Sequence, residues 1–154
     1  MTPKEKLTFP SEEWAEANEK RLNENEAYAS AAAKWEGDFL FVIKPDGSSE
    51  EFDKFAEGEP VEMYMDLWHG KCRGSYLVSP DKPAPEKVEY EWIGSYTNWL
   101  KLLRGEITDP VKALMQRKFK LKGNMAKILK AVKAAKELVK NSATLEEDYD
   151  VEYL

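Results

Sequence analysis

"GEITDPVKALMQRKFKLKGNMAKILKAVKAAKELVK", Gly105 to Lys140, carries two periodicities in succession. Its second part, residues 117–140, holds Arg117 and eight lysines against a single acid, Glu137. "RKFKLKG" alternates, with Phe119 and Leu121 to one side and Lys118, Lys120 and Lys122 to the other, the period of a half-buried strand. Asn124 is a natural N-cap, and after it the period becomes helical through Lys140. On a helical wheel Met125, Ile128, Leu129, Val132, Ala135 and Val139 share one arc. Lys127, Lys130, Lys133, Lys136 and Lys140 fill most of the opposite arc. The lysines are what is left once the apolar face is assigned, so a solvated face is the first reading. Docking on an anionic membrane is the second. Nucleic acid fits least, because such a surface favours arginines interleaved with exposed aromatics.

The rest of the chain is acidic. Outside 117–140 there are 14 basic and 28 acidic residues, and the whole of 154 residues carries a formal charge of −6. That balance opposes phosphate binding, which rests on net positive surface. The length predicts one domain with one sizeable core. A single cysteine, Cys72, excludes a disulfide framework and a cysteine-based zinc site. "MTPKEKLTFPSEEW" has no apolar signal core, and no run approaches the roughly 20 apolar residues of a spanning helix. The expected location is the cytoplasm.

Upstream, Ser11 predicts the start of a helical region that breaks near Asn23–Asn25 and resumes to about Trp35. Phe39–Ile43 is a short apolar run ending in Pro-Asp-Gly, a buried strand entering a hairpin. "SSEEFDKFAEGEP" (48–60) reads as an irregular edge strand or loop. "VEMYMDLW" alternates, with Val61, Met63, Met65 and Leu67 facing one way, and "HGK" turns it back into "CRGSYLVS". After the proline-rich 79–87, "VEYEWIG" is a further strand, with Val88, Tyr90 and Trp92 on one face. Ser95 and Asp109-Pro110 open two more helices, the first closed by Gly105. The order predicts an α+β fold, one mainly antiparallel sheet of about five strands covered on one face by helices, in a single domain.

Three segments carry a resemblance. Gly105, Asp109-Pro110, Ala113 and Met115, followed by Lys118-Phe119-Lys120-Leu121-Lys122-Gly123-Asn124-Met125, resemble the C-terminal core of the sterol carrier protein 2 family. "YMDLWHGKCRG", through Asp66, Leu67 and Gly70, is similar to that family's hairpin. "VEYEWIGSYTNWLKLLRG" is similar to its strand-to-helix segment. Arg117 departs from the pattern, standing where the family usually has glycine. The resemblance spans roughly residues 10–140, so residues 1–140 are expected to form the domain and 141–154 an acidic tail. It implies an apolar tunnel between the sheet and the C-terminal helices, and binding of a fatty acid, acyl-CoA, sterol or isoprenoid without chemistry or cofactor.

The residues agree in kind. Flexible methionines suit a cavity that accepts varied shapes. The expected lining is Met63, Met65, Trp99, Leu103, Met115, Phe119, Met125, Ile128, Leu129 and Val132. Lys120, Lys122 and Lys127 are candidates for a headgroup. Asp66, His69 and Cys72 lie close in sequence, but His69 sits in a turn and three or four converging ligands are missing, so no metal site is expected. No nucleophile has a base placed for it, and no phosphate loop or nucleophile elbow occurs. The partners expected are a small lipid and, transiently, an anionic membrane, with the chain as a monomer or homodimer. The alternative is a protein-interaction module with a filled cavity, engaging a partner through 141–154 or a tryptophan-bearing surface.

Overall fold

A computed structural model describes residues 3–154. In chain order, β1 (Glu5–Phe9) leads into α1 (Glu12–Asn23) and α2 (Glu26–Ala31), then β2 (Glu36–Lys44), α3 (Glu50–Ala56), β3 (Val61–Trp68), β4 (Lys71–Leu77) and β5 (Tyr90–Ser95). There follow α4 (Tyr96–Leu103), α5 (Pro110–Met115), β6 (Phe119–Lys122), α6 (Met125–Leu129), α7 (Val132–Ala143), a 3-10 turn Thr144–Glu147 and β7 (Tyr149–Tyr153). Four helix starts sit on expected residues, Ser11, Ser95, Asp109 and Asn124, and a fifth, Asn25, lies at the expected break; each accepts a backbone N–H of the first turn through its side-chain oxygen.

The main sheet has five strands in the order β4-β3-β2-β5-β6. Its pairs are antiparallel except β2 with β5, which are parallel. Register stacks the helix-facing residues in rows across the sheet. Met65, Phe39 and Tyr90 form one row, Met63, Phe41, Trp92 and Leu121 the next, and Val61, Ile43, Gly94 and Phe119 a third. All the helices lie on this side. On the reverse side Leu40, Val42 and Tyr64 are buried by strand and loop residues, including Tyr76, Ala84, Val88 and Ile93. The proline-rich segment is therefore a cover for the second face, tied down by Tyr76 Oη donating to the Pro83 carbonyl at 2.9 Å. Val88 belongs to that cover and precedes β5, instead of sharing a face with Tyr90 and Trp92.

Four other expectations are corrected. Residues 50–56, read as an irregular edge, are a helix that Ser49 caps, with Phe52 and Ala56 buried one turn apart. The turn after Ile43 is thus no tight hairpin, although β2 and β3 do pair antiparallel. The single helix expected over 124–140 is two, broken at Lys130–Ala131. Residues 141–154 are no free tail. β7 pairs in parallel with β1 in a second, two-stranded sheet, and Leu145 is buried. Arg21 holds this segment from α1. Its Nε donates to Thr144 Oγ1 at 2.8 Å, and its guanidinium pairs with Glu147 at 2.9 Å and with Asp148. The acidic side chains face solvent or basic partners, while Tyr149, Val151 and Tyr153 alternate between them at the strand period and pack on the core.

Candidate functional site

Between the sheet and the helices lies a cavity of about 110 Å³. Its floor is the rows just described, through Phe39, Phe41, Ile43, Met63, Met65 and Trp92. Trp14 and Asn18 from α1 and Tyr28 from α2 stand along one side. Trp99, Leu102 and Leu103 from α4, with Ile128 from α6, stand along another. α7 closes it with Ala131, Ala134, Ala135, Leu138, Val139 and Ser142. These six follow one helical stripe, and three of them are alanines. Space exists because small side chains meet the sheet where larger ones would fill the gap.

The wall is chemically quiet. None of its residues is Lys, Arg, His, Asp or Glu. Two of its tryptophans have their indole N–H taken by backbone, Trp99 by the Val42 carbonyl and Trp35 by the Gly37 carbonyl, both at 3.0 Å. They present only carbon to the interior. Burial, chiefly, pushes the Tyr28 hydroxyl well above its ordinary range, so it stays a neutral phenol.

Of the residues proposed as lining, Met63, Met65, Trp99, Leu103 and Ile128 face the cavity. Phe119 is buried behind it, edge-on to the Trp99 ring with centroids 5.2 Å apart. It lies close over Gly94, where an added Cβ would come within 2.4 Å of its ring. Val132 is half-buried against the core and outside the wall. Met115, Met125 and Leu129 are exposed, at 64%, 39% and 45%. The wheel that placed Met125, Leu129 and Val132 inward assumed one unbroken helix. The inward stripe runs through Ile128, Ala131, Ala134, Ala135, Leu138, Val139 and Ser142, so Ala135 and Val139 stay inward while Met125, Leu129 and Val132 lie to one side of it.

Lys120 and Lys122 point to the sheet face away from the cavity, and Lys122 pairs with Glu91 at 3.8 Å. Lys127 sits at the rim. Its ammonium lies 4.8 Å from the centre of the Trp35 ring, pairs with Glu89 at 3.9 Å and donates to the Glu36 carbonyl. Cys72, Asp66 and His69 do not converge. The Cys72 thiol is buried and lies 3.6 Å from Glu19, and burial, chiefly, pushes it up to about 12. Asp66 is forked by Arg73, and His69 is exposed and held by Glu36 at 2.6 Å.

The sequence reading had Ala135 and Val139 on the inward arc but missed Trp14, Asn18, Trp35 and Ala134. The spacing of 131, 134, 135, 138, 139 and 142 carries the signal for the last of these, once the helix is started at Val132.

A family model described as the SCP-2 sterol transfer family matches residues 15–136. A comparison with curated protein sequences found no match. Among solved structures, a crystal structure of sterol carrier protein 2 is 34% identical, with a TM-score of 0.73 over 86% of this chain and 95% of that one. The solution structure of a conserved hypothetical protein from Thermus thermophilus, described as possibly a sterol carrier protein, is 33% identical. Its TM-score is also 0.73, over 88% of this chain and 87% of that one. The match extends from α1 into α7 and takes in every strand of the main sheet, and the chain belongs to the SCP-2 sterol transfer family.

Proposed function

We propose that this protein binds and carries an apolar or amphipathic lipid, without catalysis, in the cavity between the sheet and α4, α6 and α7. The observation that supports it most is an interior wall of aromatic, aliphatic and small side chains with no ionisable acid or amine. Such a wall binds by area removed from water, roughly 0.8 kcal/mol per buried methylene. It offers no general base and no nucleophile, which supports carriage over turnover. A cavity of about 110 Å³ is smaller than the roughly 150 Å³ that admits benzene. A long chain therefore enters by displacing a wall. The break at Lys130–Ala131 makes α6 the element that moves most cheaply, since it is a five-residue helix with Ile128 as its only buried residue. Met125 and Leu129 on that helix, with Lys130 and Lys133 beside them, suit transient contact with an anionic membrane during transfer.

Four of the five tryptophans, Trp14, Trp35, Trp92 and Trp99, line the cavity, so intrinsic fluorescence reports occupancy directly. Titration with fatty acids, acyl-CoAs, sterols and isoprenoids should give a saturable change with at least one class. Ala135→Leu places an isobutyl group in the cavity and should weaken that binding by about tenfold or more while keeping the thermal midpoint at or above the parent value. A flat titration across all four classes would rule the reading out.

A further inference from the structure

Among the described residues, the hydroxyls of Tyr28 and Ser75 and the amide of Asn18 in the cavity wall have protons left to give, and of these only the Asn18 amide has its orientation fixed by its neighbours. Asn18, in α1, is 2% exposed. The orientation of its amide follows from a chain of contacts that begins at a helix cap. Asn25 Oδ1 accepts the Tyr28 N–H at 3.0 Å as the N-cap of α2, so its Nδ2 must be the atom facing Asn141. That Nδ2 donates to Asn141 Oδ1 at 3.1 Å. Asn141 Nδ2 in turn donates to Asn18 Oδ1 at 3.0 Å and to the Asn18 carbonyl at 3.2 Å. Ser142 Oγ donates to the same Asn18 Oδ1 at 2.9 Å. With its oxygen taken by two donors, Asn18 presents its Nδ2, and among the described residues no acceptor meets it.

Tying α1 to α7 accounts for the oxygen of Asn18 and leaves its nitrogen unexplained. Asn18 Nδ2 is not among the fully enclosed orphan atoms of the described residues, which are Asp53 Oδ1 and Tyr90 Oη, so it keeps room for a partner, and native structures rarely leave such an N–H without a water or a ligand. Asn18 and Ser142 both belong to the cavity wall, so the free donor and the cavity share one space. No cation lies in that wall, so a carboxylate or phosphate drawn to Asn18 would be buried without a counter-charge. An uncharged oxygen loses far less on leaving water.

We infer that Asn18 donates a hydrogen bond to the polar end of the bound lipid, and that this end is an uncharged oxygen acceptor, the hydroxyl of a long-chain alcohol or the carbonyl of an ester or ketone. The inference rests on the cavity being a lipid site, and it sets the orientation of the ligand. The oxygen sits between α1 and α7, and the chain runs over the aromatic rows of the sheet.

Four probes that share a twelve-carbon chain test it on the full chain: dodecane, 1-dodecanol, methyl dodecanoate and dodecanoate. Affinities are read from tryptophan fluorescence, and the Asn18 side-chain amide signals from NMR of isotope-labelled protein. The alcohol and the ester should each bind about fivefold tighter than the alkane, the effect of one net hydrogen bond. They should move the Asn18 amide signals, and dodecane should not. Asn18→Leu should abolish that preference, so that the alcohol and the ester bind no tighter than dodecane. If Asn18→Leu does not fold, the amide signals of the unaltered protein decide alone. Equal binding of alkane, alcohol and ester with the Asn18 signals unmoved would overturn the inference and leave the lipid cavity standing. So would tightest binding of dodecanoate with the Lys127 signals moving. No binding of any of the four would remove the inference together with the lipid reading beneath it.

Discussion

Arg117 shows how one backbone angle resolves a puzzle of sequence. Where the family usually has glycine, this chain has arginine, and its φ is 64°, in the left-handed region. α5 closes there with two reversed bonds, Arg117 N–H to the Leu114 carbonyl and Lys118 N–H to the Ala113 carbonyl, both at 3.0 Å. α4 closes in the same way at Gly105, whose φ is 78°, with bonds from Gly105 to Leu102 and from Glu106 to Lys101. The two ends share one motif, and in one of them a side chain replaces the hydrogen that the motif favours. The departure in sequence is therefore no departure in structure. Arg117→Gly should raise stability by about 1 kcal/mol by relieving the left-handed strain, read as a shift of the urea midpoint without a change in slope.

At the scale of elements, Asp46 joins the loop after β2 to the start of α4. Its carboxylate accepts from Thr97 N–H at 2.9 Å and Thr97 Oγ1 at 2.5 Å, and from Ser48 N–H at 3.0 Å and Ser48 Oγ at 2.5 Å. Partial burial alone would raise its pKa, but the four hydrogen bonds together outweigh it and hold the carboxyl at about 2. A value below that of the unfolded chain means that this stabilisation is complete above about pH 4 and is lost as pH falls through about 2. The melting temperature of Asp46→Asn should lie below the parent's at pH 6, and the gap should close as pH approaches 2. A constant gap would show that Asp46 contributes through packing alone.

The elements also show what was legible. The capped starts at Ser11, Ser95, Asp109 and Asn124 were readable, because a cap is a local bond between residues two or three apart. The inward faces of β3 and β6 were readable, because alternation needs no knowledge of the partner, whereas the rows across the sheet depend on register. α3 carried its own signals, Ser49 before three acids with Phe52 and Ala56 one turn apart, but seven residues are too few for periodicity to stand out. The break between α6 and α7 had no glycine or proline to announce it, and the expected inward arc favoured the larger Met125, Leu129 and Val132 over the alanines that face the cavity. β1 was missed because five residues alternating around Leu7 and Phe9 gain their identity only from a partner at the other end of the chain. Of the residues proposed as lining, Met63 and Met65 on β3, Trp99 and Leu103 on α4 and Ile128 on α6 face the cavity, while Phe119, inward on β6, lies behind Trp99.

For the whole molecule, the small β1–β7 sheet is a fastening. Leu7, Phe9 and Leu145 are buried at 5%, 2% and 1% exposure, and Phe9 packs edge-on against Trp14 with centroids 4.8 Å apart. Phe9 and Trp14 both belong to the cavity wall, so the fastening and the cavity share side chains. Leu145→Ala should cost about 2–5 kcal/mol, seen in chemical unfolding, although Leu145 itself stands outside the wall. A cost under about 1 kcal/mol would show that the 3-10 turn is an ornament of the surface.

The parallel register Glu5 with Tyr149 through Phe9 with Tyr153 has a kinetic consequence. A hairpin closes over a few residues, but this pair closes a loop containing nearly all of the chain, and the entropic cost of closure grows with loop length. Contacts that distant slow folding, so β1 docks late, after the five-stranded sheet has formed its nearer pairings. Until residues 149–153 have left the ribosome, Leu7 and Phe9 have no strand beside them, and the side of the cavity that Phe9 closes stays open. The nascent domain therefore passes through a stage with its apolar interior open on the α1 side, and the β1–β7 pairing is what covers it.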